Sequence, residues 1–195
     1  MKRKHIVITG TGRAGTTFLV ELLTALGLDT GFTAESMRNA MDPRSFAGLE
    51  HDIRKKGCPR IVKSPRFCDY AGEVLKMAGI KIEGVFVPMR SVFDAAESRR
   101  NVARMGVSKG GLWETTSFEI GKQERVLEHK LYNLMFQLSE TQVPVVLLRF
   151  PKIVNDAEYL FQKLCVLIEG LEKREFIRQH GLVSKPEYLH KFVRK

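Results

Sequence analysis

Hydrophobic positions follow two rhythms along this chain. Four short, nearly continuous apolar runs, at 5–9, 60–63, 84–88 and 143–150, are rich in Val, Ile and Phe, the pattern of strands covered on both faces of a parallel sheet. Between them the apolar residues fall at helical spacing. Phe18, Leu19, Leu22, Leu23 and Leu26 form one stripe that ends at Gly27, Leu127, Leu131, Leu134 and Leu138 form a second, and Leu160, Phe161, Leu164, Leu167 and Ile168 a third. Strands alternating with helices predict a parallel, doubly wound α/β sheet.

Two segments break this rhythm. Residues 30–57 are polar and contain Gly31, Pro43 and Gly48, while residues 106–117 contain Gly110, Gly111 and the only tryptophan, Trp113. Loops of that length in a compact domain commonly bind substrates or act as lids. The expected organisation is therefore one domain over 1–195, with substrate or lid segments at 30–57 and 106–117.

Composition narrows the class. With 195 residues, 44% of them hydrophobic and 28% charged, the chain is long enough for one well-buried core. No apolar run reaches the roughly 18 residues of a membrane span, and Lys2, Arg3 and Lys4 lead into only a short apolar stretch. A soluble, cytoplasmic protein is expected. The three cysteines, Cys58, Cys68 and Cys165, are too few and too irregularly spaced for a disulfide framework or a zinc site. A net charge of +10 favours an anionic partner. Basic residues are spread through the chain without aromatic interleaving, which disfavours a nucleic acid as that partner.

The chemistry concentrates at Gly10-Thr11-Gly12-Arg13-Ala14-Gly15-Thr16-Thr17, between the first apolar run and the first helical stripe. A glycine-rich turn lets backbone N–H groups converge on an anion, and the helix that follows adds the positive end of its dipole. Gly10 and Gly15 match the G-x-x-x-x-G-K-[ST] spacing, but Thr16 stands where the lysine belongs. The expected fold becomes a P-loop NTPase-like parallel sheet of four to five strands flanked by helices. Its phosphate cation must come from elsewhere, with Arg13 the nearest candidate and the Thr16 and Thr17 hydroxyls as further donors.

The run Arg13-Ala14-Gly15-Thr16-Thr17-Phe18 resembles the 5′-phosphosulfate-binding loop of sulfotransferases that use 3′-phosphoadenosine 5′-phosphosulfate (PAPS). The family binds the donor's 3′-phosphate with a strand-end arginine and a serine eight positions later, a spacing met here by Arg90 and Ser98. An arginine can grip a phosphate through two parallel hydrogen bonds, and the hydroxyl adds a neutral one. Ser91 and Asp94 are placed to cap the intervening helix. The segment Ile61-Val62-Lys63-Ser64-Pro65-Arg66-Phe67 is similar to a strand-end Lys-Ser-Pro segment of bacterial-type small sulfotransferases. Residues 145–150, followed by Asn155-Asp156-Ala157-Glu158, resemble the family's late strand and helix, with Pro151 and Lys152 replacing the usual acidic residues. The C-terminal glycine-rich donor-binding segment of many members has no counterpart.

The resemblance implies transfer of a sulfuryl group from PAPS to a hydroxyl or amine of a small-molecule or glycan acceptor. Adenosine 3′,5′-bisphosphate is the second product and no metal is required. It makes Gly12, Arg13, Ala14, Gly15, Thr16, Thr17, Phe18, Arg90 and Ser98 donor-binding residues. Lys63 and Arg13 are the expected catalytic cations. Glu35 is the first candidate for the acceptor's base, with His51 and Asp69 as others. Two anion pockets a nucleotide's length apart, at Arg13 and between Arg90 and Ser98, must face a common cleft. A magnesium-dependent P-loop kinase and a non-catalytic nucleotide- or nucleic-acid-binding module are the rival readings. Oligomeric state is not legible.

Overall fold

A computed structural model describes residues 2–189 and Phe192. Strands β1 (Arg3–Ile8), β2 (Ile61–Lys63), β3 (Ile80–Met89) and β4 (Val145–Arg149) form one sheet in the order β2-β1-β3-β4, parallel at every pairing. Eight α-helices connect or flank them among the described residues: α1 (Thr16–Ala25), α2 (Ala34–Ala40), α3 (Phe67–Lys76), α4 (Val92–Arg104), α5 (Lys122–Ser139), α6 (Lys152–Asn155), α7 (Ala157–Leu164) and α8 (Lys173–Val183). None is long and apolar enough to cross a membrane.

Side-chain alternation along the strands builds a core on each face of the sheet. Ile6, Ile8 and Phe86 pack with Leu19, Leu22 and Leu23 of α1, Leu160 and Leu164 of α7 and Phe176 of α8. Val7, Val85 and Val87 point the other way, toward Phe67 and Val74 of α3, Ala95 and Ala96 of α4 and Leu127 and Leu134 of α5. Burying each fully enclosed Leu, Ile or Phe contributes about 1.5–3 kcal/mol, so both faces hold the sheet.

The four expected strands and three helical stripes are present, with informative differences. Strand β4 is not covered on both faces: it is the sheet edge, Leu147 is 46% exposed, and its burial alternates. The third stripe stops early, because α7 ends at Leu164; Leu167 instead packs over Gly84, where a Cβ would stand 2.6 Å from its methyl carbons. Helix α2 lies inside the segment expected as loop, started by Thr33, whose hydroxyl accepts from the Ser36 N–H.

The strand order places a change of winding direction at β1 and β3. From β1 the chain crosses to β2 on one side and then to β3 on the other. Such a switch point opens a crevice at the carboxyl ends of the two strands. The glycine-rich loop leaves β1 there, and Arg90 follows the end of β3.

Candidate functional site

The loop backbone is left-handed at Gly12 (φ 66°), Arg13 (φ 55°) and Gly15 (φ 85°). At Gly15, which begins α1 without a side-chain cap, a Cβ would meet Ile153 and Phe150 at 3.0 Å; at Gly12 it would meet Arg99 Nη2 at 2.6 Å. Both left-handed positions favour glycine by conformation, and at Gly15 the space for a side chain is tight as well. The result is a backbone cradle at a helix N-terminus whose first turn holds no acidic residue, the arrangement that attracts oxyanions.

Three buried or half-buried cations converge beside it. Arg13 Nε donates to Ser98 Oγ at 3.0 Å and its Nη1 to the Ser45 carbonyl at 2.6 Å. Burial, followed by the nearby Arg90 charge, pulls the Arg13 pKa down to about 10. Arg90 Nη1 donates to the Arg13 carbonyl at 2.9 Å, and its guanidinium lies 5.0 Å from the Phe150 ring centroid. Burial also lowers its pKa, against the opposing pull of Asp94. Lys63, 2% exposed at the end of β2, donates to Thr17 Oγ1 at 2.9 Å and to the Gly48 carbonyl, with Glu50 Oε1 3.5 Å away. Desolvation brings its ammonium down to about 8 although Glu50 favours the charge.

Arg13, Lys63, Arg90 and Ser98 line one cavity of about 660 Å³, together with Gly12, Gly15, Thr16, Thr17 and Phe18, a volume within the range of organic-ligand sites. Ala14 is the exception among the expected donor-binding residues: its side chain is buried and does not line the cavity. The two expected anion positions share a cleft, and the Arg13 side chain reaches from one to the other. The left-handed turn at Arg13 sends its side chain across to α4, so one guanidinium links the loop with Ser98. Ser91 caps α4 by accepting from the Asp94 N–H at 3.4 Å.

The acceptor-base candidates separate. Glu35 is exposed in the first turn of α2 and does not line the cavity. Asp69 points elsewhere, binding Lys130 Nζ at 2.6 Å. His51 lines the cavity, but its Nε2 is engaged with the Thr30 carbonyl at 3.2 Å. Glu50, 53% exposed beside Lys63, and Glu21 are cavity carboxylates that the sequence reading did not single out. Glu50 carries no motif around it; only the fold of 41–54 brings it to Lys63.

A fourth cation was also missed. Arg99, 7% exposed on α4, donates to the Thr11 carbonyl and to the Gly111 carbonyl, each at 2.7 Å, and sits 5.1 Å from the Trp113 ring centroid. Burial and then Arg13 lower its pKa to about 10. Its position one residue after Ser98 is the signal that could have found it.

A parallel α/β sheet with a glycine cradle at its switch point makes this a P-loop-like α/β protein. No family model matches the chain, and no curated protein matches it.

Proposed function

We propose that the protein is a PAPS-dependent sulfotransferase acting on a hydroxyl or amine of a small-molecule or glycan acceptor. The observation that carries this reading is the convergence of Arg13, Lys63, Arg90 and Ser98, from three distant stretches of sequence, on one cavity. The site also fits an anion. Arg13 donates every described hydrogen bond to neutral oxygens, and a buried charge held in this way gains from an anion that joins it.

PAPS supplies the sulfuryl group and leaves as adenosine 3′,5′-bisphosphate. The loop amides and Arg13 hold the 5′-phosphate, while Arg90 and Ser98 hold the 3′-phosphate. Phe150, beside Arg90, and Val154 and Leu189, which line the same cavity, offer an apolar surface for the adenine. Glu50 takes the proton from the acceptor oxygen or nitrogen as that atom bonds to sulfur. Lys63 and the loop amides neutralise the electron pair left on the bridging oxygen when its bond to sulfur breaks. Catalysis of such a loose, in-line transfer rests on positioning and charge stabilisation.

Calorimetry with adenosine 3′,5′-bisphosphate and with magnesium-ATP tests the reading. Tight, magnesium-independent binding of the bisphosphate is expected. Preference for magnesium-ATP would turn the assignment to a P-loop kinase. Binding only of RNA or DNA, falling steeply with salt, would turn it to a non-catalytic module.

A further inference from the structure

The cavity extends beyond the groups that the donor uses. Its lining also includes Ser64, Arg66, Tyr70, Arg99, Lys109 and Trp113. Charge in this part is unbalanced. The Arg54 guanidinium is engaged by Asp52 at 2.9 Å and by Glu73 at 3.2 Å. Asp69 is drawn to Lys130 at 2.6 Å and reaches Arg66 only at 3.7 Å, leaving the Arg66 side chain 70% exposed. Arg99 is bonded to two carbonyl oxygens, and Lys109 forms no ion pair among the described residues.

Two donors at this wall also lack acceptors. Arg99 Nε and Trp113 Nε1 are buried without a hydrogen-bond partner, on side chains only 7% and 4% exposed. Unsatisfied buried N–H groups are uncommon because each forfeits the hydrogen bond it made with water. The guanidinium groups of Arg66 and Arg99 both approach the Trp113 ring, at 5.6 Å and 5.1 Å from its centroid. Two guanidinium groups and two unpartnered donors therefore gather at one indole.

Resting on the donor assignment above, we propose that the acceptor carries an oxyanion of its own, a carboxylate or a sulfate ester, which docks beside Trp113 against Arg66, Lys109 and Arg99. An oxyanion there balances the cations. A neutral sugar or alcohol provides no comparable charge. The acceptor's nucleophilic group would then lie between this anchor and the Lys63–Glu50 pair, which the same cavity contains.

The experiment uses the full chain saturated with adenosine 3′,5′-bisphosphate, so that the donor's two phosphate sites are filled. Nitrophenyl glucoside, nitrophenyl glucuronide and a nitrophenyl glucoside bearing a sulfate ester are then titrated by calorimetry. At least one anionic glycoside is expected to bind about tenfold tighter than the neutral one, and the two anionic arms tell carboxylate from sulfate. The double variant Arg66→Ala/Lys109→Ala alters exposed side chains. It should erase the preference while leaving bisphosphate affinity unchanged. If the bisphosphate binds but the glycosides bind equally or not at all, or the variant keeps the preference, the anionic-acceptor proposal fails and the donor reading stands. Failure of the bisphosphate itself to bind overturns both.

Discussion

The floor of the cavity and its walls are built by different means. The floor consists of the loop after β1, Lys63 at the end of β2 and Arg90 just past β3, so regular strands place its groups directly. The walls are parts of 30–57 and 106–117, and side chains of the floor and of α4 fasten them. Arg13 donates to the Ser45 carbonyl, Lys63 to that of Gly48 and Arg99 to that of Gly111. The cations that favour an anion are thus also the clamps of the walls. A ligand that draws on these cations acts on the order of both long segments, whereas the sheet beneath is held by its two apolar cores.

The sharpest division of labour concerns the base. If the walls supply chemistry as well as shape, Glu50→Gln lowers kcat by about 10²–10⁴, the range of general base catalysis, with bisphosphate affinity preserved. Glu35→Gln, altering an exposed residue outside the cavity, should retain full activity. Transfer from labelled PAPS to an acceptor found by screening measures both. Full activity in Glu50→Gln would reduce the walls to a shaping role.

Lys63 belongs to both regions, and its replacement separates the two duties. Lys63→Ala is expected to reduce kcat by about 10²–10³, as for loss of a preorganised group that stabilises developing charge, with a smaller loss of donor affinity. Hydrogen exchange around Gly48 should quicken as the clamp is lost. Equal losses in kcat and affinity would assign Lys63 to ground-state binding.

Arg90 tests the floor alone. Arg90→Ala should weaken adenosine 3′,5′-bisphosphate about 10- to 100-fold, the equivalent of the roughly 1.5–3 kcal/mol of a hydrogen bond to a charged group. Unchanged affinity in calorimetry would remove the 3′-phosphate from this position.

The same division governs what the sequence reveals. Continuous apolar runs mark β1 and β2 because burial on both faces suppresses polar positions. The glycines of 10–15 mark the cradle because the left-handed backbone at Gly12 and Gly15 favours glycine. Strand β3 extends to Ile80, beyond the run at 84–88, because its first residues alternate with Lys81 and Glu83 at the sheet's margin. Helix α3 begins at Phe67, straight after the Lys63-Ser64-Pro65 segment. With Cys68, Ala71 and Val74 for its buried face, it offers little of the leucine stripe that marks α1 and α5. Glu50 and Arg99 escape notice for a different reason. Glu50 lies in an irregular segment and is brought to Lys63 only by tertiary contacts, while the part Arg99 plays rests on its long-range bonds to Thr11 and Gly111, which leave no periodic trace.

The smallest expected effect comes from pH and bears on the floor's electrostatics. Burial depresses the Lys63 pKa to about 8 from the usual 10.5, so the folded protein begins to release this proton while an unfolded chain still holds it. The resulting penalty on folding is fully present below about pH 8 and relaxes as pH rises toward the unfolded value. Binding of an anionic donor has the opposite preference, because it needs the ammonium charged. Affinity for adenosine 3′,5′-bisphosphate should therefore carry no Lys63 contribution to its pH slope below about pH 8. Above it, affinity should fall by at most about tenfold per pH unit, with proton uptake on binding. Calorimetry at several pH values in buffers of different ionisation enthalpy measures the slope and the proton together. Lys63→Met should flatten this part of the profile, and a slope surviving in that variant would place the titrating group elsewhere in the cavity.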